Sequence, residues 1–269
     1  MKILFFGDIF GRPGREVLRH MLPQWKKEYK PDVIIANGEN ASHGAGISEN
    51  AIKEMLGAGV DIVTGGNHSI EGKNADVLLN DAKLPLLRPA NMSSACAGKG
   101  HRYFTFGNKE ILVINLIGQV HMRFHYDSPF LALDNILEEN KSGKNANIIL
   151  VDWHAEASSE KVALAWHVDG RVSAVLGTHS HTPTADARIL PQGTGLISDV
   201  GFLGPHNSII GQEISQNLKR FLTQTPIKVD VAQAPPYEIN AVFLEIDNAS
   251  GKTIKIEQVR KIIQEDLKK

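Results

Sequence analysis

Seven side chains in this sequence carry oxygen or nitrogen donors and stand just past short apolar runs: Asp8, Glu39, Asn40, Asn67, His154, His179 and His181. The runs before them are Ile3–Phe6, Val33–Ala36, Asp61–Thr64, a strand pattern ending near Asp152, and one ending at Leu176. Donors placed after strands can converge, because ligands of open α/β sheets gather outside the carboxyl ends of their strands. Two carboxylates, two amides and three imidazoles, with no thiolate, make a hard-to-borderline set. Such a set suits iron, manganese, zinc or cobalt. It is too large for one tetrahedral zinc, but it suffices for two ions that share a carboxylate. Metals roughly 3.5–4 Å apart can clamp a phosphoryl group and generate a nucleophile from water at neutral pH. The chemistry this predicts is hydrolysis of a phosphoester.

Each of these residues also has an ordinary reading when taken singly. Asp8 could be a solvated loop acid, Glu39-Asn40 a helix cap, Asn67-His68 a turn, and His154 a core or surface histidine. His179 and His181 carry more weight, because alternate residues of an extended segment point the same way. It is the ordered set, each member behind its own strand, that makes the metal-site reading hold together.

The elements that must position these residues can be read from periodicity. The first third of the chain alternates apolar runs with helical patterns, predicting helices over about 13–29 and 48–56. A fourth strand is predicted at Leu84–Leu87. This βαβα order argues for a largely parallel sheet. Later come a hairpin at Tyr103–Phe106 and Ile111–Leu116, helices over 129–139 and 159–167, and a second hairpin around Gly193-Gly195. A third hairpin turns at Ser250-Gly251, and an amphipathic helix is predicted over Glu257–Lys269. The 225–236 stretch reads as a loop. With no internal repeat, the simplest account is one α/β domain spanning 1–269.

Composition narrows the function classes. The chain has 269 residues, 42% hydrophobic and 22% charged, and a net charge of -1, so no overall basic field points to nucleic acid or a membrane. No run is long and apolar enough to span a bilayer. The single cysteine, Cys96, and the absence of a secretory segment predict a cytoplasmic protein. The glycines Gly7, Gly11 and Gly14 miss the dinucleotide-loop spacing, and Ser180 lacks a nucleophile elbow.

The ordered blocks resemble the calcineurin-like metallophosphoesterases, which carry an Asp-x-His, a Gly-Asp, a Gly-Asn-His, a lone His and a Gly-His-x-His. Here Phe10 stands at the first histidine position, Glu39 at the bridging acid, and Thr178 is inserted after Gly177. Those departures form a pattern of their own. Asn-Gly-Glu-Asn-Ala, Gly-Asn-His, Trp-His-Ala-Glu, Gly-Thr-His-Ser-His-Thr and Ile-Ser-Asp-Val-Gly together resemble the YmdB family of bacterial phosphodiesterases, from Asp8 to about Gly211.

The resemblance implies a calcineurin-like metallophosphoesterase fold, with central mixed β-sheets flanked by helices in α/β/β/α layers. It implies hydrolysis of cyclic nucleotides, 2′,3′-cyclic and 3′,5′-cyclic, by a homo-oligomeric protein linked to RNA turnover. The alternatives are a phosphomonoesterase or nucleotidase, and a metal-bound regulatory scaffold. The implied cofactors are two divalent or mixed-valence ions, iron or manganese, with zinc as an alternative. One would take Asp8, Glu39, Asn40 and His181. The other would take Glu39, Asn67, His154 and His179. Asn40 would replace the histidine missing at Phe10, and His68 would be the catalytic histidine. Gln119 stands where many relatives have arginine, so specificity there is expected to differ.

Overall fold

Alternation along the strands decides the layers, because successive side chains of a strand point to opposite faces. In β1 (Lys2–Ile9), Leu4 and Phe6 enter one apolar cluster while Ile3 and Phe5 enter another. The first cluster lies under α1 (Gly11–Tyr29), α2 (Glu49–Ala58) and α3 (Ala75–Asn80), with Val17, Leu18, Ile52 and Leu79 among its members. Phe6 stacks on Trp25 there, centroid to centroid 5.7 Å. Burial of each such side chain stabilises the fold by about 1.5–3 kcal/mol. The computed structural model describes residues 1–144, 146–265 and 267.

The first sheet adds β2 (Val33–Asn37) and β3 (Ile62–Thr64), parallel to β1. The second contains β4 (His101–Phe106), β5 (Lys109–Ile117), β6 (Ile148–His154), β7 (Ala174–Thr178), β8 (Arg188–Ile189) and β9 (Gly195–Ile197). Its order is β4-β5-β6-β7-β9-β8, parallel in the middle with antiparallel edges. The first sheet is completed by β10 (Phe202–Pro205), β11 (Tyr237–Ile246) and β12 (Thr253–Ile263), in the order β12-β11-β10-β1-β2-β3.

Ile3, Phe5 and Ile35 of the first sheet meet Val113, Leu150 and Leu176 of the second in a shared core. The outer face of the second sheet packs Val151 and Trp153 against Leu133 of α4 (Pro129–Ser142) and Leu164 of α5 (Ser158–His167). The result is an α/β/β/α sandwich. Both sheets direct the carboxyl ends of their parallel strands toward one edge, where the donor residues stand.

Three expectations change. The segment 257–263 is not a helix: β12 pairs with β11 from Ile246↔Thr253 to Tyr237↔Ile263. Covering the open edge of β11 outweighs the helical periodicity of that segment. Residues 266, 268 and 269 of the expected helix lie outside the described residues. Leu84–Leu87 makes only a single bridge, Leu86 to Val63, because the loop passes the sheet edge once and turns away. Two helices went unread: α3, and α6 (Ile214–Thr223), whose Leu218 and Phe221 remain exposed.

Candidate metal centre

The strands deliver the donors directly. Asp8 is buried near the end of β1, and Glu39 and Asn40 are buried just past β2. Asn67 and His68 follow β3, His154 is the last residue of β6, and His179 and His181 follow β7. Glu39, His154 and His179 present donor atoms all within 4.8 Å of one another. His154 Nε2 lies 3.2 Å from Glu39 Oε1, 3.0 Å from Asn67 Oδ1 and 3.0 Å from His179 Nδ1. On the other side of Glu39, the Asn40 amide Nδ2 lies 2.8 Å from Glu39 Oε1 and 3.2 Å from His181 Nε2. Asp8 Oδ1 is 3.9 Å from His181 Nε2 and is buried with no hydrogen-bond partner among the described residues. All seven predicted donors thus meet in two groups joined at Glu39.

Close backbone packing makes the cluster this tight. A Cβ on Gly66 would lie 2.3 Å from Glu39 Oε2 and 2.3 Å from His154 Nε2, so only glycine fits there.

Each imidazole has one nitrogen fixed by an acceptor and the other aimed at the cluster. His181 Nδ1 donates to the Ile210 carbonyl at 2.9 Å, which leaves Nε2 inward. His179 Nε2 donates to the Glu156 carboxylate at 3.0 Å, which leaves Nδ1 inward. His154 Nδ1 lies 2.9 Å from Thr178 Oγ1, and that hydroxyl donates to Asp152 Oδ1 at 2.7 Å. The hydroxyl can therefore only accept from His154 Nδ1–H, and His154 Nε2 points inward. Such outer partners set tautomer and ring orientation at metal sites.

Two buried carboxylates organise this outer layer. Asp152 also accepts from Asn37 Nδ2 at 2.9 Å and from Thr64 Oγ1. Burial pushes its pKa up to about 6 despite these bonds. Asp199 accepts from Lys161 Nζ at 2.7 Å, Ser180 N at 3.0 Å and Gly201 N at 2.8 Å. It pins a loop in which His179 and His181 both hold left-handed backbone, φ 103 and φ 61. Such conformations cost about 1–3 kcal/mol each and persist only where the surroundings fix them.

Asp152, Thr178, Asp199, Lys161 and Glu156 had no assigned role in the sequence. Their signal was faint: Glu156, Thr178 and Asp199 belong to the ordered motifs, and Asp152 and Lys161 look like ordinary strand and helix residues.

The charge balance of the cluster is that of a cation site holding a proton. Burial opposes the charged form of His154, but Glu39, Asp8 and Asp152 outweigh it and raise its pKa to about 9. Burial and the neighbouring His154 push His179 down to about 3. Burial works against the charge on Glu39, yet His154 and His68 hold it at about 2. Three acceptors, on Glu39, Asn67 and His179, surround the His154 Nε2 proton, and a metal ion would meet the same atoms. The donor set therefore fits a metal, and fold and cluster together imply divalent metal ions.

His68 stands at the mouth. Its backbone N–H donates to Glu39 Oε2 at 2.9 Å, while its ring is about a third exposed, with Nδ1 3.0 Å from Glu71 Oε2. The opening, about 280 Å³, is lined by Phe10, Glu39, His68, Glu156, His179 and His181. Phe10 packs edge-on to His181 at 5.3 Å and presses on Gly211, where a Cβ would lie 2.4 Å from the ring. Gln119 does not line this opening; its side chain donates to the Tyr126 carbonyl at 2.7 Å.

Two facing sheets with a donor cluster at their shared edge define a metallophosphoesterase fold. A 5′-nucleotidase precursor from Thermus thermophilus is similar in fold, with TM-score 0.60 at 14% identity over 98% of this chain and 54% of that one. A crystal structure described as a novel phosphatase from Mycoplasma pneumoniae matches at TM-score 0.91 and 34% identity, covering 98% of this chain and 94% of that chain. The Bacillus subtilis (strain 168) protein named 2′,3′-cyclic-nucleotide 2′-phosphodiesterase is 42% identical over 259 residues, 96% of each chain. The model of the family described as YmdB-like protein matches residues 4–259. The chain belongs to this YmdB-like family.

Proposed function

We propose that this protein is a metal-dependent phosphodiesterase that hydrolyses 2′,3′-cyclic nucleotides and also accepts 3′,5′-cyclic ones. The observation that carries the reading is the orientation of the three imidazoles, each locked from behind and each turning its other nitrogen toward the cluster around Glu39. The B. subtilis relative's named substrate supports the choice of ester.

Asp8, Glu39, Asn40 and His181 would hold one ion, and Glu39, Asn67, His154 and His179 a second, with Glu39 shared. A half-turn of the Asn40 amide exchanges Nδ2 for the oxygen that would bind. When bound, the ions supply Lewis acidity toward the phosphoryl oxygens and an activated water as nucleophile. Iron or manganese suits this mixed oxygen and nitrogen set.

The chain's own groups do the rest. The glycine-bearing loops at Gly38 and Gly66 let Glu39 and Asn67 approach closely. Phe10 and Phe202 pack against the His181 ring and keep water from its far side. His68, at the mouth and within reach of a bound ester, donates a proton to the ribose oxygen as the P–O bond breaks. The product keeps its phosphate as a monoester.

The donors come from strand ends and loops of both sheets, which supports reading 1–269 as one catalytic domain. Among the described residues, no helix is long and apolar enough to cross a membrane. The unpaired Cys96 supports a cytoplasmic setting. A homo-oligomer with partners in RNA turnover belongs to the same proposal.

The test is metal analysis of the purified protein, followed by parallel assays on 2′,3′-cyclic AMP, bis-p-nitrophenyl phosphate and p-nitrophenyl phosphate. Two ions per chain with hydrolysis of the diesters is the expected result. Hydrolysis of the monoester alone would make the protein a phosphomonoesterase, and a metal-loaded but inert protein would make it a scaffold.

A further inference from the structure

A second cavity, about 850 Å³, opens between the 88–103 segment and one face of α4, lined among others by Met92, Lys99, Arg102, Tyr103 and Ile136. None of the donor residues lines it, and its volume falls in the range of small-molecule sites, roughly 300–1,000 Å³. Its walls are strongly basic: Arg88, Lys99, His101, Arg102 and Lys144 face a single acid, Asp127.

What separates this wall from an ordinary charged surface is that three of its five cations lack a counter-ion among the described residues. Lys144 has Glu110 at 2.6 Å, and His101 has Glu139 at 3.9 Å. Among the described residues, Arg88, Lys99 and Arg102 have no carboxylate within 4.0 Å. Arg88 is only 6% exposed. Its N–H groups go to the carbonyls of Pro89 at 2.6 Å and of Ala90, Cys96 and Ala97 at 3.4–3.5 Å. Arg102 likewise donates to the Leu84 carbonyl at 2.6 Å and the Ala82 carbonyl at 3.2 Å. Carbonyls satisfy the hydrogen bonds of a guanidinium and fix its position, but they leave its full charge uncancelled. Buried charge is costly unless something compensates it. The field reaches His101, whose pKa is lowered first by burial and also by Lys99 and Arg88.

We propose that this cavity is a second, non-catalytic site for a phosphate-bearing organic anion of mononucleotide size. Lys99 and Arg102 would meet the phosphate, as cations that recognise such groups do. Arg88 would hold the loop and supply charge from below. The Tyr103 ring, Met92 and Ile136 form the apolar wall that a base or sugar would lie against. The site is independent of the metal cluster and stands whether or not the catalytic reading does.

The experiment is equilibrium dialysis of the metal-loaded full chain with AMP, inorganic phosphate and adenosine, each run on the parent protein and on the double variant Lys99→Gln/Arg102→Gln. Because phosphate esters also bind at the metal cluster, the readout is stoichiometry. The parent is expected to hold one more AMP per chain than the double variant, with turnover of bis-p-nitrophenyl phosphate within about twofold in both. Loss of hydrogen bonds to a charged group predicts at least about tenfold weaker AMP binding at this site. Lys99→Glu alone, at an exposed side chain, should lose the same equivalent if the double variant folds poorly.

Identical AMP isotherms for parent and variants would overturn the proposal. Adenosine taken up as well as AMP would remove the anion, and phosphate bound as tightly as AMP would remove the nucleoside. A change in sedimentation with no change in AMP uptake would make the face a contact between copies of the chain, and the ligand site would fall.

Discussion

The two sheets contribute different chemistry to the same edge. The end of β1 and the loops after β2 and β3 in the first sheet bring the oxygen donors, Asp8, Glu39, Asn40 and Asn67, while β6 and the loop after β7 in the second bring the nitrogen donors, His154, His179 and His181. The support differs as well. Oxygen donors need little orienting, because either lone pair of a carboxylate or amide can turn inward. Imidazoles must be turned to one nitrogen, and the second sheet carries the parts that do this: Asp152, Thr178, Glu156 and the Lys161–Asp199 pair. Neither half has a complete donor set, so the centre exists only once the sheets pack.

The most damaging break falls on the one donor both groups share. Glu39→Ala should remove both ions and abolish turnover, a loss on the order of 10⁶-fold, the low end of enzymatic accelerations. Metal content by plasma emission checks it, and a variant that keeps one tightly bound ion would show that the two groups do not meet at Glu39. His68→Ala, outside both donor sets, should cost about 10²–10⁴-fold in kcat while metal content stays near that of the parent.

A break behind the imidazoles should register first as stability. Lys161→Ala leaves Asp199 buried without its cation and should cost about 3–5 kcal/mol, measured by chemical denaturation of the metal-loaded protein. Thr178→Val removes the hydroxyl between His154 and Asp152, which predicts metal affinity lowered by about 10–100-fold with little change in fold. The corresponding loss should be absent for Asn67→Asp, which alters an oxygen donor on the first sheet but keeps an oxygen in place. Equal losses at both positions would erase the distinction between the sheets.

The most graded effect is the dependence on pH. In the metal-free chain the folded pKa of His154, about 9, lies above its ordinary value of 6.5. The stabilisation this gives is fully present below 6.5 and is lost as pH rises through 9. Metal-free melting temperature should therefore fall across that window. A metal must displace the same proton, so apparent affinity should rise about tenfold per pH unit over that range. Calorimetry in buffers of different ionisation enthalpy should count about one proton released per chain. His179, already neutral well above its pKa of about 3, should add none.

Much of the donor set could be read from order alone, because Gly38-Glu39, Gly66-Asn67 and His179-x-His181 each follow a run that reads as a buried strand. Lys161 could not be read in this way. On α5 it looks like one more helical lysine until the fold sets Asp199, 38 residues away, at its ammonium. Asp152 is similar: in sequence it is a polar residue in a strand, and its three donors come from β2, β3 and β7. The 257–263 segment failed for a related reason, since pairing with the open edge of β11 overrode the helical periodicity read from the local residues.

The sequence by itself determined which atoms could bind a metal and at which strand ends they stand, because residue type and strand periodicity are local properties. Only the tertiary structure decided which nitrogen of each imidazole faces inward, and that a set of cations elsewhere has no counter-ion among the described residues. Both depend on acceptors and charges supplied by distant segments, and no local pattern of residues encodes where those segments come to rest.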